Sequence, residues 1–465
     1  MIKLKKIVII FIFVFIFGLY KIINISFGYD TDILIIDHNN IMDSWLGLSR
    51  YGLVFLKYIF RLYSNVNLRF FNAITYINIF LYTVLFMYFL NIDNKSKNIK
   101  QNVLPLLLIV SSPILLEQYN FTLQAPEVSF SMILMILSFV TTFKYLKNGK
   151  FIYGIITVTL LVLCFGVYQA FVNLYILGAL IVLYKLADCD NNIKNIIKCI
   201  IIFVISLFLY YIISKLVIKS FNVSKNEYLT NQIGWFDDFS GTILGIFKDI
   251  IKVFVGYGHV LNLGYLMCFI IVMLYLIKEK NFSYKSFYLI CMILSPFILS
   301  VLTGTRIVYR SLFTLPFLMS FIFFNFYNLK KWIKYLLVIL LISQIINSYL
   351  LLISDYNRYK NDVYISKKIY NDCNGNKDTI IYLYGIERSE ENIKLIKGEV
   401  MGRSFYEWSV DGINVTDYRV KNFMEIHGIK YVSGTREKNL KFDSEYPDSG
   451  YIIKNGNKCY VNLGK

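Results

Sequence analysis

The chain has 465 residues, 57% hydrophobic and 17% charged, with a mean hydropathy of +0.55. Soluble globular domains are nearer half apolar and a quarter charged, so this composition excludes an ordinary soluble protein. The net charge of +18 does not point to nucleic acid either, because the lysines fall in short loops on alternate sides of apolar runs, the distribution the positive-inside rule requires.

Apolar runs of about 20 residues, enough to cross roughly 30 Å of hydrocarbon, predict about eleven membrane spans. The first, Ile7–Tyr20, follows Lys3, Lys5 and Lys6. It has no small-residue cleavage site and reads as an uncleaved anchor, not a signal peptide. Next comes Asp30–Arg50, DTDILIIDHNNIMDSWLGLSR, which places Asp30, Asp32, Asp37, Asp43 and Arg50 at the edge of a membrane. Charges there cost free energy unless water, a partner or a task holds them. Further spans centre on Phe71–Leu90, Val103–Leu116, Val128–Phe143, Ile152–Phe171 and Leu174–Tyr184. The last five are Ile200–Ile218, Leu263–Ile277, Tyr288–Leu302, Leu312–Phe326 and Tyr335–Ile353.

With the N-terminus cytoplasmic, the junctions bearing Lys95, Lys97 and Lys100, then Lys147 and Lys150, then Lys194 and Lys198 all fall on the cytoplasmic side. So do those bearing Lys278, Lys280 and Lys285, and Lys330, Lys331 and Lys334. Outside the cytoplasm lie Asp30–Arg50, Glu117–Glu127, the long Phe221–Asn262 loop, Thr303–Arg310 and the tail. The expected architecture is an α-helical polytopic membrane module over residues 1–354, with an outer loop at about 25–69, followed by a small extracytoplasmic α/β domain over 355–465. The tail carries strand-like runs at Thr379–Tyr384, Lys430–Ser433 and Tyr451–Lys454, and turn signals at Asn374–Gly375, Asp411–Gly412 and Asn455–Gly456. Cys373 and Cys459 both fall there and are either a disulfide pair or two free thiols. His38, His259 and His427 stand alone, without metal-ligand spacing. The sequence shows no phosphate loop and no dinucleotide fingerprint.

An outer-face carboxylate with arginines on the same face suits transfer of a sugar to a hydroxyl. That reaction needs a base for the hydroxyl proton and cations for the departing phosphate. Asp30 and Asp32 are the candidates for the base, and Arg50, Arg306 and Arg310 for the phosphate. Asp37 and Asp43 read as solvated or capping residues, with Asp37 in reserve as a substrate contact. Glu117 is a second acid or sugar-hydroxyl ligand, and Tyr168 and Gln169 sit at the outer end of a span, where a buried glutamine needs partners. Trp235, Asp237 and Asp238 look like a sugar-stacking aromatic beside carboxylates, although an interfacial helix without substrate contact accounts for them better.

Several segments together resemble one family. WLGLSRYGLVFLK (Trp45–Lys57) is similar to the W-L-x-L-G-R-[FY]-G-L block of the bacterial integral-membrane glucosyl transferases of the Gtr type-II kind, with Asp30-Thr31-Asp32 at the family's acidic pair. CFGVYQAF (Cys164–Phe171) resembles its G-x-YQA segment, and Ser112-Pro113 with Glu117, and Arg306 with Arg310, also match. In the tail, GRSFYEWSVD (Gly402–Asp411) followed by Arg419 and Gly428 resembles SF-x-W-D…R…F…G. Two motifs depart: Ser49 stands where the family has glycine before the arginine, which puts a close backbone approach there in doubt, and Ser409 and Val410 interrupt the tryptophan–aspartate step.

The resemblance implies a GT-C enzyme that takes a hexose, most often glucose, from a polyprenyl-phosphate donor and passes it to a cell-envelope or lipid-linked polysaccharide by inverting displacement. It implies no cofactor beyond that lipid-linked donor and leaves a divalent cation open. Two other classes compete. A transporter or flippase of lipid-linked sugars expects charged sites at the bilayer midplane and symmetric halves, while the ionisable residues here gather at the outer rim. An envelope polysaccharide polymerase would use a diphosphate-linked donor and add whole repeat units.

Overall fold

The computed structural model describes residues 4–63, 66–92, 103–188, 191–224, 233–236, 238–279, 282–327, 329–387, 396–408, 418–433 and 440–464. Lys3, Lys95, Lys97, Lys100, Lys280, Asp237, Ser409, Val410 and Asp411–Gly412 lie outside them. The chain forms two compact units, Met1–Ile23 with Met42–Ser348, and Asn24–Ile41 with Tyr349–Lys465.

The first unit is helical. It contains α1 (Leu4–Ile23), most of α3 (His38–Gly47), α4 (Tyr51–Phe60), α5 (Leu68–Asn91), α6 (Leu104–Val110), α7 (Pro113–Tyr119) and α8 (Ala125–Asn148). Then come α9 (Phe151–Val167), α10 (Phe171–Lys185), α11 (Asn192–Ser220), α12 (Phe239–Val255), α13 (Gly264–Lys278), α14 (Tyr284–Leu294), α15 (Ile298–Thr303), α16 (Thr314–Phe326) and the first part of α17 (Lys331–Asp372). Among the described residues six helical stretches are long and apolar enough to cross a membrane: α1, α5, α8, α11, Tyr284–Thr303 and α17. The protein is a polytopic, mostly helical membrane protein. Six further apolar stretches, from Tyr51–Phe60 to Thr314–Phe326, are shorter. At 1.5 Å per residue, helices of 10–17 residues reach only about 15–26 Å.

Proline accounts for two of the interruptions. The expected span Val103–Leu116 is split at Ser111–Ser112, where Pro113 holds Ser112 in an extended conformation (ψ 118°). Pro296 likewise puts a 3-10 turn, Ser295–Phe297, into the expected span Tyr288–Leu302. A third break separates α9 from α10 at Tyr168–Ala170, so Phe171 begins a helix where the sequence suggested the end of one. The outer loop expected at about 25–69 is not one loop. It folds into α2 (Thr31–Ile36), α3 and α4, and α4 packs on α9 inside the first unit.

α8 is the hub of the first unit and packs on α5, α9 and α10. Small residues permit the close approaches: a Cβ on Gly178 of α10 would lie 2.0 Å from the Phe139 ring of α8. By contrast α11 turns apolar side chains such as Ile200, Val204 and Phe208 outward, the arrangement lipid requires of a helix that borders it.

The second unit holds α2, the polar end of α17 from Tyr349, a four-stranded sheet, α18 (Phe405–Trp408) and α19 (Tyr418–Ile426). The strands are β1 (Ile380–Tyr384), β2 (Val432–Ser433), β3 (Ile452–Asn455) and β4 (Lys458–Asn462), in the order β2-β1-β4-β3. β1 runs parallel to β2 and β4, and β3–β4 is an antiparallel hairpin turning at Gly456 (φ 61°). Cys373 and Cys459 form a disulfide between the end of α17 and β4. The boundary differs from the sequence expectation because residues 24–41 join the tail. Phe27 packs on Tyr359, Phe405 and Phe423, the Ser26 hydroxyl donates to Asp355 at 2.5 Å, and the Tyr29 hydroxyl donates to the Ser404 carbonyl at 2.5 Å.

Candidate functional site

Each unit contributes expected residues, and each set is built locally. In the second unit the chain turns into α2 at Asp30, whose φ of 68° is left-handed. Aspartate tolerates that region better than most residues, at some cost in strain. The Asp30 side chain makes no cap bond to α2. It pairs instead with Arg419 of α19, Nη2 to Oδ1 at 2.6 Å, and is 39% exposed. Asp32, two residues on, is fully buried. Its Oδ1 accepts from Arg419 Nη1 at 3.3 Å and its Oδ2 from the Asn422 amide at 3.2 Å.

Burial pushes the Asp32 carboxyl above the usual carboxylate range, the Asp30 charge adds to this, and Arg419 and Asn422 pull the other way. Burial also opposes the Arg419 charge, but the two carboxylates outweigh it and raise the guanidinium above its ordinary value. Asp30 and Asp32 thus share one guanidinium, an arginine partner that the sequence reading left unassigned. The only signal for it was the position of Arg419 in the tail motif. Asp37 does not join the pair; its Oδ1 accepts from the Asn40 backbone N–H at 3.2 Å and caps the start of α3.

In the first unit the two best sequence motifs pack on each other. Gly52 of α4 faces Gly166 of α9, and a Cβ on Gly52 would lie 2.8 Å from the Gly166 carbonyl carbon. Tyr51 lays its ring on Gly166 and donates from its hydroxyl to the Val162 carbonyl at 3.0 Å. Gln169, in the break between α9 and α10, donates through Nε2 to the Leu48 carbonyl (2.8 Å) and to the Tyr210 hydroxyl (3.1 Å). Arg50 stacks over the Tyr168 ring at 4.7 Å, and its Nε is buried with no hydrogen-bond partner among the described residues. Ser49 has φ 61°. It therefore keeps the left-handed turn for which glycine is the easier residue, and the substitution does not undo the approach. Arg50, Tyr168 and Gln169 form one cluster, with Gln169 holding the backbone that presents Arg50.

The other expected residues are placed elsewhere. Arg306 makes a bidentate pair with Asp249 of α12, Nε to Oδ2 at 2.7 Å and Nη2 to Oδ1 at 2.8 Å, and its side chain stays 62% exposed. Asp249 escaped the sequence reading because it sits on the buried face of a helix whose other face, Phe239, Ile243, Phe247 and Ile251, is exposed and apolar. Asp238 caps α12 by accepting from the Gly241 N–H at 2.9 Å, and Trp235 donates to the Val301 carbonyl at 3.0 Å. Arg310, in the 3-10 turn Tyr309–Ser311, lies over the Phe121 ring at 4.9 Å. That turn packs on α7, where Glu117 is wholly buried and not at a loop surface. Glu127 is equally buried and pairs with Lys57 of α4 at 2.9 Å, both side chains fully enclosed. Among the described residues no group of three or more His, Cys, Asp or Glu comes together to hold a metal ion.

Residues 19–327 match the family model described as Glucosyl transferase GtrII. Neither a curated protein nor a solved structure matches the chain.

Proposed function

Because the chain belongs to the GtrII glucosyl transferase family, it is a membrane glycosyltransferase, and we propose that it moves glucose, or a related hexose, from a polyprenyl-phosphate donor to a polysaccharide or lipid-linked acceptor at the outer face of the cell membrane. The N-terminus is then cytoplasmic, and the acid pair and tail lie outside. The observation that carries the reading is the acid pair itself, inside a chain whose residues 19–327 match a glucosyl-transferring family.

In this reading Asp30 is the base. The acceptor hydroxyl must reach it, and exposure favours Asp30 over the enclosed Asp32. The acceptor oxygen attacks the anomeric carbon as its proton passes to the Asp30 carboxylate. The new C–O bond forms while the bond to the phosphate oxygen breaks, so the configuration inverts. Polyprenyl phosphate leaves with its electron pair, a growing charge that calls for cations; within the first unit Arg50 and Arg310 are the residues we assign to the donor phosphate. Arg306 contributes through the part of its guanidinium that Asp249 leaves over. Tyr168 and Gln169 act by holding Arg50, and Asp37 and Glu117 have no direct part in the chemistry.

The test is transfer of label from polyprenyl-phosphate [14C]glucose to cell envelopes of a strain lacking the gene, with purified enzyme in proteoliposomes. Asp30→Asn should lower the rate at least 100-fold with normal expression and a normal unfolding temperature, as expected when a proton acceptor contributing 10²–10⁴ is removed. Full activity in Asp30→Asn would sink the assignment.

A further inference from the structure

We propose that Arg419 is a positioning residue for the acid pair, a single guanidinium that bridges Asp30 and Asp32 and fixes the direction in which Asp30 meets the acceptor. The proposal rests on the reading of Asp30 as base. Three nitrogens of Arg419 have three different partners: Nη2 takes Asp30 (2.6 Å), Nη1 takes Asp32 (3.3 Å), and Nε donates to the Tyr418 hydroxyl (2.9 Å). A planar fork can hold two carboxylates at once in a fixed plane, which an ammonium cannot. Asn422, one turn further along α19, secures the other oxygen of Asp32. The Asp30 side chain makes no cap bond to α2, and its contact is the ion pair with Arg419. α19 lies beyond the residues 19–327 that the family model matches, and in this reading the tail supplies part of the catalytic arrangement.

Among the described residues the titratable groups facing the pair are Arg419 and Tyr418. On α19, His427 is turned to Phe423 and Tyr359, and on α18 Glu407 is tied to Lys397 and Arg403. Without Arg419 two neighbouring carboxylates face each other with no cation, and one of them takes up a proton at higher pH.

The experiment is the pH dependence of glucose transfer, in the assay above, for the wild type, Arg419→Gln and Arg419→Lys. Arg419→Gln should slow transfer at least tenfold and move the acid limb of the profile up by about one pH unit or more. Arg419→Lys should keep the limb near that of the wild type but remain severalfold slow, because it holds only one carboxylate. A wild-type limb in Arg419→Gln, whatever its rate, overturns the proposal. If Arg419→Gln does not fold or falls below detection, a wild-type rate in Arg419→Lys overturns it instead and a slow Arg419→Lys supports it. Activity in Asp30→Asn brings down the base assignment, whereas an inactive Asp30→Asn beside an unmoved Arg419→Gln limb brings down the positioning role alone.

Discussion

Asp362 gives the second unit a pH-dependent stability whose sign and size follow from its surroundings. It lies on the polar part of α17, wholly enclosed, accepting from the Ser404 hydroxyl at 2.5 Å and from the Phe405 N–H at 3.1 Å. Burial lifts its carboxyl from 3.8 to about 7; the Ser404 and Phe405 bonds and the Arg358 charge oppose the rise, and Glu387 adds to it. The folded chain therefore binds this proton more tightly than the unfolded one. Its contribution to stability is fully present below the unfolded value and is lost as pH rises through about 7. At about 1.4 kcal/mol per unit the whole shift amounts to roughly 4 kcal/mol, of which about 2 kcal/mol falls between pH ~5.5 and ~8.5.

Asp362→Asn is the perturbation that isolates it. The amide has the shape of the protonated acid: its oxygen can accept from Phe405 and its NH₂ can donate to Ser404. Unfolding of the purified chain in detergent, followed by intrinsic fluorescence across that pH range, should show the wild type losing about 2 kcal/mol relative to Asp362→Asn as pH rises. Taking the difference between the two proteins cancels every other titration. A difference that stays flat with pH, or a wild type that gains on the variant, would refute the reasoning.

Two other outcomes follow from the first unit. Lys57→Met leaves Glu127 enclosed without its cation and should cost about 3–5 kcal/mol, while Lys57→Met combined with Glu127→Leu should recover most of that loss in thermal unfolding; a double variant that loses the sum of the two single losses would show that the pair is not energetically coupled. Gly52→Ala pushes a methyl into the backbone of α9 at Leu163 and Gly166 and should cost about 1–3 kcal/mol. The control is Gly154→Ala, whose nearest neighbour is the Tyr145 ring at 3.4 Å, and equal effects at the two sites would argue against the close α4–α9 approach.

The sequence was most informative where a residue's own chemistry is enough. Apolar runs identified a polytopic membrane protein because lipid demands length and apolarity from any helix that borders it. Asn374–Gly375 and Asn455–Gly456 marked turns because those residues accept unusual backbone angles, and φ is 50° at Asn374 and 61° at Gly456. The W-L-x-L-S-R-Y-G-L and G-x-YQA segments pointed to Arg50, Tyr168 and Gln169, but nothing in their spacing said that Gly52 and Gly166 would meet. β4 (Lys458–Asn462) was missed although the Asn455–Gly456 turn directly precedes it.

Hydropathy likewise cannot see where a helix stops for a proline or a motif. The runs at Val103–Leu116 and Ile152–Phe171 therefore looked continuous while the chain breaks at Ser112 and again at Tyr168.

By itself the sequence determined the class of solvent the chain lives in, the order of its apolar runs and the presence of the acids and arginines between them. Partnership was decided only by the tertiary structure, because charge pairing depends on distances between residues far apart in the chain. Asp249 claims Arg306, Lys57 and Glu127 enclose each other, and Arg419, nearly 400 positions from Asp30 and Asp32, turns two aspartates at a helix start into a held acid pair.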